Sequence, residues 1–467
     1  MVEIEHNCGI CLTHTLHDNY NFIKSLQHRG REVTGMAAIG NDRIDVIKWR
    51  GNTSQFDIVD LHKIFPSDQY HTYIAHDRYP TKGKKEDMLT TGHPHSFGGK
   101  IEYRDSHIVI RDCDMAMIHN GQVDVNQMGN INRTNLKTSC DTEALLQLYR
   151  ENGVHGLMNR ISGAFTLVIA DKRMKETVVL RDRLGMKPGV LGLKDGKYCV
   201  ASEDIAINEN GGNFIEDISP GSAYYFNAQG GIRKEQIIKP QKTQHCFFEW
   251  NYISHLDSTL DNVGVRTLRR NLGQILADEF NPGDLDLVTF LPRCPETAAR
   301  SYSQKLNLPF QSVFYKMKSE RSFQGSNQND RSSSIKNNLY LIPDIQKVIG
   351  GKTVLVIDDS TIRGTNAARA KELLEVAGVK KIYLANYTPK IGIIGKDNVQ
   401  RGCMFGVDMP PNDNFIARGR TDREISEAIG METFFLSVNG LKKAFEKSGM
   451  AAQDLCTFCV GGKHPIN

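Results

Sequence analysis

TVLVIDDSTIRGTN, residues 353–366, carries a strand, a pair of acids and a small-residue loop in one unbroken stretch. Val354, Leu355, Val356 and Ile357 form a short apolar run, the pattern of a strand buried on both faces of a parallel sheet. The run ends in Asp358 and Asp359. A loop follows over 360–365, with Arg363 and Gly364 inside it. Residues 367–377 place Ala, Leu and Val on one face of a helix, and Gly378 supplies its stop. A second apolar run at 382–385 completes a β–α–β unit.

A strand that feeds a loop opening a helix gathers free backbone N–H groups and the positive end of a helix dipole at one point. That makes a phosphate site. Acids at the carboxyl end of such a strand sit in the crevice where open α/β sheets bind ligands, placed for sugar hydroxyls or a metal. Two adjacent buried carboxylates cost too much for a packing role alone. The alternative is a solvated strand end followed by a helix-capping Ser or Thr.

The stretch resembles the ribosyl-phosphate motif of type I phosphoribosyltransferases. The resemblance implies that Asp358 and Asp359 hold the ribose hydroxyls of phosphoribosyl pyrophosphate (PRPP). Ser360, Thr361, Arg363, Gly364 and Thr365 would then cradle its 5-phosphate.

The whole chain has 467 residues, room for about two to four domains. Its 39% hydrophobic and 24% charged residues suit a globular protein. A net charge of +4, from 58 basic and 54 acidic residues, argues against a nucleic-acid-coating role. No apolar run approaches membrane-spanning length. The start, MVEIEHNCGICLTH, lacks the apolar core of a secretory signal. A cytoplasmic protein is expected. The most polar stretch, 319–334, reads as a mobile loop. Ten cysteines without an export signal are expected to be thiols, ligands or a nucleophile rather than a disulfide framework.

Residues 8 to about 240 read mostly as strands. The segments 164–170 and 177–180 look paired, and helical spacing appears at 21–27 and 142–149. This predicts an α+β domain. Short segments recur in order: Cys8-Gly9-Ile10, His28-Arg29-Gly30, Arg78-Tyr79-Pro80-Thr81, His119-Asn120-Gly121, Asp141-Thr142-Glu143, Gly163-Ala164-Phe165, Arg181-Asp182-Arg183 and Ala201-Ser202-Glu203. Together they resemble the N-terminal-nucleophile hydrolase sandwich of glutamine amidotransferases. A thiol nucleophile needs a base, and a free α-amine on the same residue serves, with an ordinary pKa of about 7.7–8.0. Removal of residues 1–7 as a leader is therefore expected. The resemblance implies that Cys8 attacks the glutamine amide, with Asn120 and Gly121 as oxyanion donors. Arg78 would hold the substrate carboxylate, Asp141 its ammonium, and Arg29 would support the nucleophile.

From 241 to 467 strands and helices alternate. A strand is expected at 284–290, a loop at Leu291-Pro292-Arg293-Cys294-Pro295, a helix from about Glu296 and a strand at 311–315. With Val407-Asp408-Met409-Pro410 and Arg423-Glu424-Ile425, the chain from Cys8 to about Lys463 is similar to the glutamine PRPP amidotransferase family. That implies transfer of glutamine-derived ammonia, passed internally, to C1 of PRPP. The products are phosphoribosylamine, glutamate and pyrophosphate, with Mg²⁺ as companion of PRPP. It also implies a homo-oligomer inhibited by purine nucleotides. Cys246, Cys403, Cys456 and Cys459 match the ligands of a [4Fe–4S] cluster in one branch. Four thiolates with a C-x-x-C arm suit such a cluster, and suit zinc equally on chemistry alone.

One loop departs from the family pattern, an acid followed by small residues. Here Arg293 reverses the charge and Pro295 removes an N–H donor. Arg293, with Lys316 and Lys318 further on, is a candidate pyrophosphate contact. The alternatives are a diverged amidotransferase with a different phosphoribosyl substrate, or a PRPP or nucleotide sensor without transferase activity.

Overall fold

The computed structural model describes residues 8–78, 88–124, 136–138, 140–240, 242–316, 338–405, 407 and 409–466. The expected leader, Tyr79, Pro80, Thr81, the 319–334 loop, Lys318 and Asp408 lie outside them. The chain forms two compact units. One holds the chain up to His245 together with Ser258–Asp261; the other holds Cys246–Asp257, Asn262–Met404 and the chain from Met409 onward.

The first unit is built on a thirteen-stranded sheet. Strand Gly9–Thr13 lies antiparallel between Thr72–Arg78 and Lys197–Ala201. Strand His107–Val123 pairs antiparallel with His95–Tyr103, Ile44–Arg50 and Gly163–Asp171. Period-two alternation assigns the faces. Ile10 and Leu12 join Ile118, Val168 and Ala170 in one shared core. Their neighbours turn the other way, Cys11 toward a second core with Phe22 and Ile23, and Met117, Leu167 and Ile169 toward a third with Leu145 and Leu148. The strands therefore form a two-layer sandwich around the shared core, with helix Leu16–Ser25 on one outer face and Asp141–Arg160 on the other.

The helix expected at 21–27 instead spans Leu16–Ser25. Thr15 accepts the Asp18 N–H at 3.0 Å and starts it early, an N-cap that apolar spacing does not register. The helix expected at 142–149 runs on to Arg160, through a non-helical Gly153 at φ 65°.

The second unit contains a parallel sheet of Leu287–Phe290, Thr353–Asp358, Lys381–Asn386 and Glu432–Phe435, in that order. Helix Thr365–Val376 follows the second strand and buries Ala367, Ala370 and Leu374 against Val354, Val356 and Leu384. The strand expected from 284 begins at Leu287, because the Asp286 carboxylate accepts the Thr353 N–H at 2.8 Å in place of a ladder bond. The strand expected at 311–315 spans Phe314–Lys316 and pairs antiparallel with Leu339–Leu341, outside the parallel sheet. Helix Glu296–Leu306 begins where the sequence places it.

Candidate active sites

In the first unit, Cys8 is fully buried immediately before strand Gly9–Thr13. Gly9 stands opposite Asp77, which places Cys8 beside the end of Thr72–Arg78. The Arg29 Nε donates to the Cys8 carbonyl at 3.1 Å. Arg29 also pairs with the buried Glu203, which His28 meets at 2.8 Å. Burial pushes the Glu203 carboxyl up, but the His28 and Arg29 charges overcome it and hold the group well below the usual range. The Gly9 N–H donates to Asp77. Burial raises Asp77 to about 8, offset in part by that N–H and by Arg29.

Asn120 and Gly121 lie on strand His107–Val123, which does not pair with Thr72–Arg78 in the sheet. His76, next to Asp77, contacts the His119 carbonyl through Nε2 at 3.1 Å. Asn120 follows, fully buried, and neither polar atom of its side chain has a hydrogen-bond partner among the described residues. A buried amide left so costs about 1–3 kcal/mol unless a ligand meets it. Gly121 sits at φ +146°, and a Cβ there would stand 1.9 Å from the Ala164 carbonyl oxygen. Only glycine fits, and its backbone is thereby held beside Asn120. Asp141 opens its helix buried, accepts the Val123 N–H at 2.8 Å and lies 3.4 Å from His119 Nδ1. Arg78 is buried and donates to the Thr91 hydroxyl.

In the second unit, Asp358 ends its strand and Asp359 follows, both buried. Burial and then the Asp359 charge raise Asp358 well above the usual range; burial raises Asp359 too. Lys316 feels both carboxylates, Cys294 and Arg293; burial lowers its pKa, and the acids partly restore it. Arg293 and Lys316 thus lie within electrostatic reach of one another and, for Lys316, of the acid pair. Ser360 donates to Asp359 at 3.4 Å, and Thr361 donates to the Asn386 side chain at 2.7 Å, tying the loop to the next strand. Arg363 is paired with Asp413. Gly364, at φ 81°, caps the helix that Thr365 begins. Two groups escaped the sequence reading: Arg269 and Tyr387, which also interact electrostatically with Asp359. Nothing in the local sequence of either marks it, since each is far from the acids in the chain.

The four predicted ligand cysteines come together. Burial raises the Cys459 thiol well above its ordinary value, and Cys403, Cys456 and Cys246 each raise it further. The short strand that carries Cys246 pairs with the one that carries Cys456.

A second metal-type group was not foreseen. His93, His95 and Cys140 are buried, with one ligand atom of each within 4.8 Å of the others. The signal was the close His93-Pro94-His95 spacing, which a bend ahead of strand His95–Tyr103 carries.

A family profile described as a glutamine amidotransferase domain matches residues 108–237. The amidophosphoribosyltransferase of Archaeoglobus fulgidus is 28% identical, over 96% of this chain and 94% of its own. That of Bacillus subtilis is also 28% identical, over 96% and 90%. Among solved structures, the glutamine PRPP amidotransferase of B. subtilis complexed with ADP and GMP superposes with a TM-score of 0.77 at 25% identity, covering 98% of this chain and 97% of that one. A structure described as the allosteric regulatory enzyme of purine biosynthesis gives 0.78 at 26% identity, over 98% and 96%. The fold is that of these enzymes, an N-terminal-nucleophile amidotransferase sandwich and a type I phosphoribosyltransferase α/β sheet. No helix among the described residues is long and apolar enough to cross a membrane.

Proposed function

We propose that this chain is an amidophosphoribosyltransferase. It takes ammonia from glutamine and uses it to displace pyrophosphate from C1 of PRPP, the first step of purine synthesis. One observation carries the reading: a single chain holds both a buried thiol with an oxyanion-type Asn-Gly, and an acid pair at a strand end that opens a helix-capping loop.

Residues 8–240 form the glutaminase domain and 241–467 the transferase domain. With residues 1–7 removed, the Cys8 α-amine takes the thiol proton and Sγ attacks the side-chain carbonyl. Asn120 and the Gly121 N–H receive the oxyanion, each worth about 3 kcal/mol. The amine then returns the proton to departing ammonia, and water hydrolyses the thioester to glutamate. Arg78 and Asp141 grip the two ends of the amino acid, and Arg29 fixes the Cys8 backbone. At the second centre Asp358 and Asp359 orient the ribose, and 360–365 binds the 5-phosphate. Arg293 and Lys316 face pyrophosphate, and Lys318 belongs to the same proposal. Mg²⁺ brought with PRPP would be held at the acid pair and would neutralise charge on the leaving pyrophosphate.

The grouped thiols of Cys246, Cys403, Cys456 and Cys459 support a [4Fe–4S] cluster in a structural role. Purine nucleotides are the proposed inhibitors, as the ADP and GMP bound to the B. subtilis enzyme suggest. A cytoplasmic homo-oligomer completes the reading. Purified protein given glutamine, PRPP and Mg²⁺ is expected to release glutamate and pyrophosphate in equal amounts. Glutamate alone would sink this reading in favour of a diverged amidotransferase, which the reversed charge at Arg293 favours. Neither product, despite PRPP binding, would leave a sensor. Intact mass decides the leader: active protein that retains residues 1–7 refutes the α-amine mechanism.

A further inference from the structure

The buried polar groups of the first unit concentrate in one place that the glutaminase chemistry does not use. His93 and His95 flank Pro94, and Cys140 immediately precedes the Asp141–Arg160 helix. All three are buried, and one ligand atom of each lies within 4.8 Å of the others. The tetrahedral ligands of a zinc ion stand about 3.5 Å apart, so a small closure suffices.

Each histidine ring already has a hydrogen-bond partner on Nε2. The His95 Nε2 meets the Thr91 carbonyl at 3.2 Å, which places the ring proton on Nε2 and the lone pair on Nδ1. The His93 Nε2 meets the Thr142 hydroxyl at 2.8 Å, and that hydroxyl is 3.4 Å from the Asp141 carboxylate as its donor. The same hydroxyl lies 3.0 Å from His119 Nδ1; with its proton directed at Asp141 it accepts from both rings, and the His93 lone pair is then on Nδ1. The N-terminal end of the helix after Cys140 favours the negative charge of a thiolate.

A separate observation points to a ligand. The His76 ring lies 4.0 Å from that of His93, and the His119 ring 6.5 Å from it. His76 Nδ1 and His119 Nε2 are both buried with no hydrogen-bond partner among the described residues. An unpartnered buried ring nitrogen is unfavourable, and a bound cation or its coordinated water offsets that cost. His95 also lines a cleft of about 510 Å³ with Thr138, Glu143 and Leu146, which supplies an entry path.

We infer that His93, His95 and Cys140 form a three-residue binding site for a transition-metal ion of the zinc class. Mixed nitrogen and sulfur donors select zinc over magnesium or calcium. Such an ion would pin the start of the Asp141 helix. It is distinct from the four-cysteine group, which lies in the other unit.

The test is metal content and coordination of the full-length chain loaded with Zn²⁺ and desalted. Cys140→Ser and His95→Gln are each expected to lower bound zinc by one equivalent per chain. Cys456→Ser should leave that equivalent in place. Unchanged zinc in both of the first two variants overturns the proposal. X-ray absorption on the unaltered chain is independent of how the variants fold. A shell containing imidazole nitrogen beside sulfur is expected, and an all-sulfur shell overturns the site. Glutamine KM rising after zinc removal, with kcat little changed, is the expected functional consequence.

Discussion

The main-chain N–H of Asp359 donates to the carboxylate of Asp358 at 2.9 Å. The bond steadies one buried acid from the backbone of the next, but it does not cancel their mutual repulsion. Both carboxyls remain raised by burial; the Asp359 charge raises Asp358 further, while the side-chain hydrogen bond with Asp358 partly lowers Asp359. A fold that keeps such a pair holds strain that a ligand relieves.

Asp358→Asn is accordingly expected to do two opposed things. It removes an acid whose charged form burial disfavours and should stabilise the ligand-free protein by about 1 kcal/mol. It also removes charge-assisted hydrogen bonds to ribose and should cut kcat/KM for PRPP about 100-fold. Thermal melts with and without PRPP check both. A variant that loses stability without ligand would show that the acid serves the fold rather than the substrate.

Asp77 predicts a pH dependence in the other unit. Its carboxyl is raised to about 8 by burial, against the Gly9 N–H and Arg29 that lower it. An unfolded Asp titrates near 3.9, so between about pH 4 and pH 8 the native state holds a proton the unfolded chain has lost. The stability this contributes is fully present below the unfolded value and is lost as pH rises through about 8, at roughly 1.4 kcal/mol per pH unit. Chemical denaturation from pH 5 to 9 should show that slope, and Asp77→Asn should flatten it. The same slope in the variant would assign it elsewhere.

The legible parts of this molecule were those where local pattern and tertiary role coincide. The 353–366 stretch reads as strand, acids, loop and helix because the parallel sheet buries both faces of that strand. Cys8, Asn120 and Asp141 could be named from ordered short segments, yet their meeting depends on pairings such as Gly9 with Asp77. Periodicity does not encode those pairings. Arg269 and Tyr387 were missed for that reason: each reaches Asp359 through the fold alone. His93, His95 and Cys140 were missed differently. The two histidines were visible, but their third partner lies at the start of a distant helix.

The four-cysteine group gives a third prediction. Cys459 is buried, and its thiol is raised by Cys403, Cys456 and Cys246 together. Cys403 and Cys459 are buried, with Cys246 and Cys456 half-buried; bound to a cluster the four join three segments far apart in sequence. Anaerobically purified protein should carry about four iron and four sulfide per chain, with broad visible absorption. Cys459→Ser should remove both and destabilise the protein by several kcal/mol, the scale of a lost metal centre. Zinc in place of iron in anaerobic wild-type protein would refute the cluster.

Arg293 and Lys316 set the last prediction. Both enter the electrostatics beside the acid pair, Arg293 exposed and Lys316 half-buried: burial lowers Lys316, Asp358 and Asp359 raise it, and Arg293 lowers it. An ammonium held between two acids and a guanidinium cannot be an idle surface charge. If the pair receives pyrophosphate, Arg293→Ala should weaken pyrophosphate as a product inhibitor about 10- to 100-fold, the worth of one bidentate contact. Affinity for ribose 5-phosphate should stay within about twofold, because that ligand uses the acids and the 360–365 loop instead. Lys316→Gln should weaken pyrophosphate too, and PRPP more strongly, because it also removes a compensating charge from the acid pair. Titration calorimetry with each ligand separates the terms. Equal losses for both ligands in Arg293→Ala would mean that the arginine supports the fold of the site. No loss for either would remove it from the pyrophosphate wall and leave the reversed charge to a different substrate.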